Sequence, residues 1–141
     1  MKKVLKWLGG LFIAFVVLVI LVPSPDDNEI KKVEISNVDY FTMKSEVICG
    51  SKYSDAKIES LFKEKYDDKY VKWDGIVSEV DGDVLRLKMK PSTITYDVEI
   101  DMNNKDQLFD LEKDQTVTVQ FKIVEKGGCF LPLVGRRGVL V

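Results

Sequence analysis

Residues 69–90, "KYVKWDGIVSEVDGDVLRLKMK", read as two strands joined by a tight Asp-Gly turn. Val71, Trp73, Gly75 and Val77 alternate on one side of the first strand. Val80 then falls three residues after Val77, and that break in the period of two predicts a β-bulge near Ser78. Asp81-Gly82 supplies the positive φ angles of a hairpin turn, after which Leu85, Leu87 and Met89 form the next inward row. Further on, Tyr96, Val98, Ile100 and Met102 alternate with Asp97, Glu99 and Asp101 to give a third strand. "NNKDQLFDLEKD" supplies a helical turn that points Leu108 and Leu111 inward, and Val117, Val119, Phe121 and Ile123 make a fourth strand. A loop with Gly127, Gly128, Cys129 and Pro132 leads to "GVLV", residues 138–141, the fifth. Five short strands with a helical turn between the third and fourth is the order of an OB-fold, a small Greek-key barrel.

Upstream, "SDAKIESLFKEKYDD" reads as a helix with Ser54 as its cap, and Ile58, Leu61, Phe62 and Lys65 on one narrow face. "VEISNVDYFTMKSEVIC", residues 33–49, has strand-like residues without a clear period and reads as a short extended segment. "PSPDDNEIKK", residues 23–32, is a polar, proline-bearing linker.

The first 22 residues differ from everything after them. No charge falls between Trp7 and Val22, and past Lys6 the apolar run reaches back to Val4. As a helix, residues 4–22 would span roughly 28 Å, close to the hydrocarbon core of a bilayer. Lys2, Lys3 and Lys6 precede the run, while Asp26 and Asp27 follow it, which puts the N-terminus in the cytoplasm and the domain outside. A cleavable signal peptide is the competing reading. "LVPSP" is a poor cleavage site, with Pro23 inside it and Pro25 after it, and an uncleaved single-pass anchor in the inner or plasma membrane is the preferred expectation. Gly10 and Ala14 would permit pairing of two such anchors, a spacing common by chance.

The net charge of −2 conceals an asymmetry. Without Lys2, Lys3 and Lys6, the 21 basic residues become 18 against 23 acidic ones, a net of −5 for residues 23–141. Such a domain repels phosphate backbones unless a basic patch overrides the average. The two cysteines, Cys49 and Cys129, favour one disulfide outside the cytoplasm; two unrelated buried thiols are the alternative. Closing a loop of that length would stabilise the fold by at most about 4.5 kcal/mol.

The stretch from about Leu61 to the C-terminus, roughly 80 of the 141 residues, resembles the bacterial OB-fold domains called tRNA-anti-like. "LFKEKYDDKYVKWDGIVSEV" is similar to the family's helix and first strand, Y-x-x-K-x-V-x-W-x-G-x-V, and "TYDVEIDM" to its third strand. "LFDLEKDQTVTVQFKI" is similar to its L-x-x-L-x-K-G-D-x-V-T-V-x-G-x-I. Asp114 stands where the family usually has a turn glycine, and Phe121 where it has a glycine in strand four. A Phe121 in that row should fill the barrel. The resemblance implies tRNA binding by descent only; many similar members are envelope proteins with a signal or an anchor. It brings no catalytic residues.

Two surfaces are candidate sites. OB-folds bind along the outer face of strands one to three, where this chain places Tyr70, Lys72, Arg86 and Lys88. In a register whose partner numbers sum to 185, Arg86 faces Glu99 and Lys88 faces Asp97, which takes the basic residues away from phosphates. Only Tyr70 offers a stacking platform, so nucleic acid is a disfavoured partner. The second candidate is the loop "EKGGCFLPLVGRRG", with Lys126, Arg136 and Arg137 beside Phe130, Leu131 and Leu133. It reads either as an interaction surface for a protein, a lipid headgroup or a glycan, or as a lid in which Phe130 and Leu133 cover a barrel end.

Other signals carry less. Asp81-Gly82-Asp83 lacks the remaining ligands of a calcium loop. Gly127-Gly128 and "GRRG" are too short for phosphate loops, and Asp67-Asp68 is a solvated corner. With no histidine in the chain, nothing activates Cys49 as a nucleophile. The expectation is a non-catalytic, cofactor-free module, tethered by residues 4–22, that binds a protein or envelope component. The alternative of another class is a mobile-element protective protein, for superinfection exclusion or toxin immunity at the membrane; a single-stranded nucleic-acid binder comes third.

Overall fold

The computed structural model describes residues 33–141. The expected anchor and linker, residues 1–32, lie outside the described residues, among which no helix is long and apolar enough to cross a membrane. Five strands close into a barrel: β1 (Tyr70–Asp81), β2 (Val84–Lys88), β3 (Val98–Met102), β4 (Thr116–Glu125) and β5 (Leu133–Leu140). Their order around the barrel is β1-β2-β3-β5-β4, with β4 returning to β1. All neighbours are antiparallel except β3 and β5, which run parallel.

The opening stretch behaves as its periodicity predicts. Val71, Trp73 and Val77 are buried, and the β1–β2 register slips between Val77 and Glu79. The hairpin differs in detail. Asp81 pairs with Val84, so the two loop residues are Gly82 and Asp83, and only Gly82 adopts a left-handed conformation (φ 64°). Glycine in the first loop position is the type II′ choice, matched to the right-handed twist of the strands. Between β2 and β3 the expected register holds where both are strands: Leu85 faces Ile100, Arg86 faces Glu99 and Leu87 faces Val98.

That ladder stops sooner than expected. The Met89 N–H donates to the Asp97 carboxylate (2.8 Å), not to a backbone carbonyl, so Tyr96 and Asp97 belong to the connecting loop and not to β3. Lys88 and Asp97 are not partners. Lys88 lies 3.7 Å from Asp114, and Asp97 lies 3.5 Å from Lys44.

Two helices precede the barrel. α1 (Tyr40–Val47) replaces the expected extended segment, which survives only as an isolated parallel bridge between Ile35 and Tyr70. Asp39 caps α1 by accepting the Thr42 N–H at 2.8 Å, satisfying a donor that the first turn leaves open. Tyr40, Met43 and Val47 then recur on one buried face. α2 (Asp55–Lys65) starts where expected, with Ser54 at the cap position, but ends three residues before Asp68, and the Ser54 side chain makes no capping bond. The 3₁₀ turn Lys105–Leu108 closes the other barrel end with Leu108, its start capped by Asn104.

The core joins the barrel to the helices. Phe121 is fully buried, and its ring meets Trp73 edge-on at 5.2 Å. Trp73 meets Tyr40 of α1 in the same way at 5.5 Å and donates its indole N–H to the Val38 carbonyl (2.7 Å). Phe121 thus fills the interior, as its size predicts.

Candidate functional site

The loop between β4 and β5 is held from three sides. Cys129 is disulfide-bonded to Cys49, just beyond α1, with 4.6 Å between their Cα atoms. The Gly128 N–H donates to the Leu131 carbonyl (3.0 Å), which closes the loop tip. Next in the chain, the Leu133 N–H donates to the Asp97 carbonyl (3.0 Å), tying the return of the loop to the start of β3. At this tip Phe130 is 98% exposed and Leu131 71% exposed.

This arrangement separates residues that the sequence grouped. Leu133 is buried in the core at the start of β5, so it is the barrel lid, whereas Phe130 covers nothing. Arg136 and Arg137 are not in the loop at all but within β5. The strand begins five residues before "GVLV"; that start was hidden because its inward positions after Leu133 are Gly135 and Gly138, which give no apolar alternation to read. Arg136 lies 3.6 Å from Asp101. Arg137 takes a left-handed conformation (φ 57°) and lies 3.4 Å from the Tyr70 hydroxyl. Lys126 is bound to Glu59 of α2 at 2.7 Å, which holds the Glu59 carboxyl below its usual range.

Beside the loop is a recess of about 320 Å³, lined by Tyr40, Lys44 and Cys49 on the helical side, Thr93, Thr95 and Asp97 from the β2–β3 loop, and Cys129 to Leu131 opposite. The Asp97 carboxylate is already occupied: it accepts from the Met89 N–H and from the Thr93 hydroxyl (2.9 Å), and Lys44 approaches its other oxygen. Burial, and then the charge on Asp97, push the Tyr40 phenol well above its ordinary value, so it stays protonated. The recess offers hydrogen-bond partners but no nucleophile paired with a base.

A residue that sequence reading missed stands on its rim. Ile94, between Thr93 and Thr95, is 95% exposed. An apolar side chain in "KPSTITY", a stretch of turn residues with no strand period, was the available signal.

The outer face of the barrel is consumed by its own charges. Arg86 donates to Glu99 (2.8 Å) and Glu79 (3.1 Å), lies 3.7 Å from Asp81, and stacks over Tyr96 at 5.2 Å. Glu99 foremost holds this guanidinium protonated. Tyr70 is half-buried at the end of the face and Lys72 is exposed. The structure therefore does not gather Tyr70, Lys72, Arg86 and Lys88 into one basic groove. Among the described residues no group of His, Cys, Asp or Glu is placed to hold a metal ion.

No protein family, no curated protein and no solved structure matches the chain.

Proposed function

We infer that the chain is a membrane-tethered, extracytoplasmic OB-fold module that binds a protein or another component of the envelope, without catalysis. The observation that carries this reading is the loop tip: Phe130 and Leu131 are held in solvent by the Cys49–Cys129 bond instead of being folded onto the barrel. Exposed apolar side chains on a constrained loop are the usual anchors of an interface, because little conformational entropy is lost when they are covered. The disulfide favours an oxidising compartment, in agreement with the lysines ahead of residues 4–22. The strand order, the 3₁₀ turn between β3 and β4 and the bulged first strand support the OB-fold assignment. Nucleic acid has no role in the reading, since Arg86 and Lys88 already face carboxylates.

Cysteine accessibility in intact cells tests it, with a membrane-impermeant thiol reagent used before and after reduction. Labelling that needs reductant but not lysis is expected. Labelling that needs lysis but no reductant would place the domain in the cytoplasm with free thiols, and the reading would fall.

A further inference from the structure

The barrel end that carries Phe130 also carries the other features a membrane surface would recognise. Three connections gather there: residues 48–54 after α1, residues 89–97 between β2 and β3, and residues 126–132 between β4 and β5. They present Ile94, Phe130 and Leu131, and Tyr53 is partly exposed among them. Their charges are Lys52, Lys90 and Lys126 against Asp97; Lys126 is paired with Glu59 and Asp97 is engaged inside the protein, which leaves Lys52 and Lys90. The three loops are thus basic in a chain whose net charge is −2, while Glu59, Glu99 and Glu125 border the other side of Leu131. Among the described residues neither Lys52 nor Lys90 has an ion pair; Lys52 lies over the Tyr53 ring at 5.4 Å and Lys90 over Phe41 at 4.8 Å. Apolar tips ringed by lysines and aromatic rings are the composition of the bilayer interface, where side chains enter the acyl boundary and ammonium groups meet anionic headgroups.

The path of the chain supplies the second argument. Ile35 pairs in parallel with Tyr70, the first residue of β1, so the described chain begins at the same barrel end as these loops. The ten residues 23–32 extend at most about 35 Å. A segment held in the bilayer before them would leave this end within reach of the surface.

We propose that the barrel end bearing Ile94, Phe130 and Leu131 docks on the anionic surface of the bilayer that holds the N-terminal segment. The three apolar side chains enter the headgroup boundary, and Lys52 and Lys90 pair with headgroup phosphates. This rests on the reading of residues 4–22 as a membrane anchor, and it names the envelope component as lipid. The opposite end provides an internal control: Phe109, near the β1–β2 turn, is 89% exposed, with Asp106 and Asp110 close by in sequence.

The test uses the full chain, reconstituted in vesicles of phosphatidylcholine with or without phosphatidylglycerol. A photoreactive phenylalanine analogue replaces Ile94, Phe130 or Phe109 in turn, positions exposed enough that no core packing is lost. Lipid adducts are expected at 94 and 130 in the anionic vesicles, reduced when phosphatidylglycerol is left out, and absent at 109. Equal adducts at 109 and 130, or protein crosslinks in place of lipid at 130, would overturn docking. Alkaline carbonate extraction of the same vesicles separates the two levels. A chain that resists extraction but gives no lipid adduct at 130 sinks the docking alone, whereas a chain released by carbonate sinks the anchor on which it rests.

Discussion

The Phe121 ring on β4 occupies the space that a side chain on Gly135 of β5 would need: a Cβ built on Gly135 would collide with the ring, lying 2.8 Å from Cε2. Large and small residues have complementary places on adjacent strands, and the glycine is what lets a phenylalanine stand in the fourth strand. Gly135→Ala is therefore expected to destabilise the domain by about 1–3 kcal/mol, the usual range for overpacking. Phe121→Leu should leave space and lower stability on its own, yet in the double variant the two losses should partly cancel. Urea unfolding of the four proteins measures the coupling; strict additivity would mean the two positions do not share space.

Arg86 is the hub of the outer face, since Glu79, Asp81 and Glu99 converge on it. Arg86→Ala is expected to cost about 1–2 kcal/mol, because it removes charge-assisted bonds and leaves three carboxylates together. Arg86→Lys should recover only part of that loss, a point charge being unable to serve two acceptors and stack on Tyr96 at once. Part of the cost in the alanine variant should disappear in added salt, which screens the carboxylate repulsion. Thermal unfolding at two ionic strengths decides the matter; a loss indifferent to salt would show that Arg86 acts by packing alone.

The Cys49–Cys129 bond closes a chain separation of 80 residues. Reduction, or Cys49→Ser with Cys129→Ser, should lower stability by about 2–4 kcal/mol, mainly through the unfolded chain. The barrel should stay folded, because neither cysteine is part of the buried apolar core. Circular dichroism with and without reductant should therefore show an unchanged native spectrum and an earlier melt. Collapse of the native spectrum at room temperature would contradict this partition.

Elements with strong period-two patterns, β1, β2 and β4, were legible because each buries one face and shows the other to water. Of β5 only the end, within "GVLV", was legible, since glycines hold two of its inward positions and carry no hydrophobic signal. α1 was missed for a different reason: Val38, Tyr40, Phe41 and Val47 favour strands by propensity. The usable signs were the Asp39 cap and the spacing of Tyr40, Met43 and Val47. Asp114 is a turn residue whose backbone the sequence did not announce. It takes a left-handed conformation (φ 67°), the one most natural to glycine. In the candidate site, the exposure of Phe130 and the burial of Leu133, three residues on, depend on where β5 begins, which no local pattern revealed.

Asp114 also gives a substitution expected to stabilise. A left-handed non-glycine residue carries strain, and the Lys88 contact it would forfeit is a long one at 3.7 Å with an exposed carboxylate. Asp114→Gly should gain about 0.5–1 kcal/mol, and Asp114→Ala should gain nothing. An unfolding midpoint that falls in the glycine variant would show that the carboxylate matters more than the backbone.

Glu46 sets the acid limit of the packing between the helices. Its carboxylate accepts from the Tyr66 hydroxyl at 2.7 Å and from Lys65 at 3.0 Å. The Tyr66 bond first, and Lys65 next, hold its pKa below the ordinary 4.5. A carboxyl with a lowered folded value contributes stability that is fully present above the ordinary value and is lost as pH falls through the folded one. Stability should accordingly decline below about pH 4.5, and the decline should be shallower in Glu46→Gln, which has no proton to take up there. Glu59 and Asp68, lowered by Lys126 and Lys122, add to the slope in both proteins, so the difference between them isolates Glu46. Tyr66→Phe removes the largest cause and should move the Glu46 titration, followed by carboxyl NMR, back toward its ordinary value. A titration unmoved by that change would assign the shift to Lys65 instead.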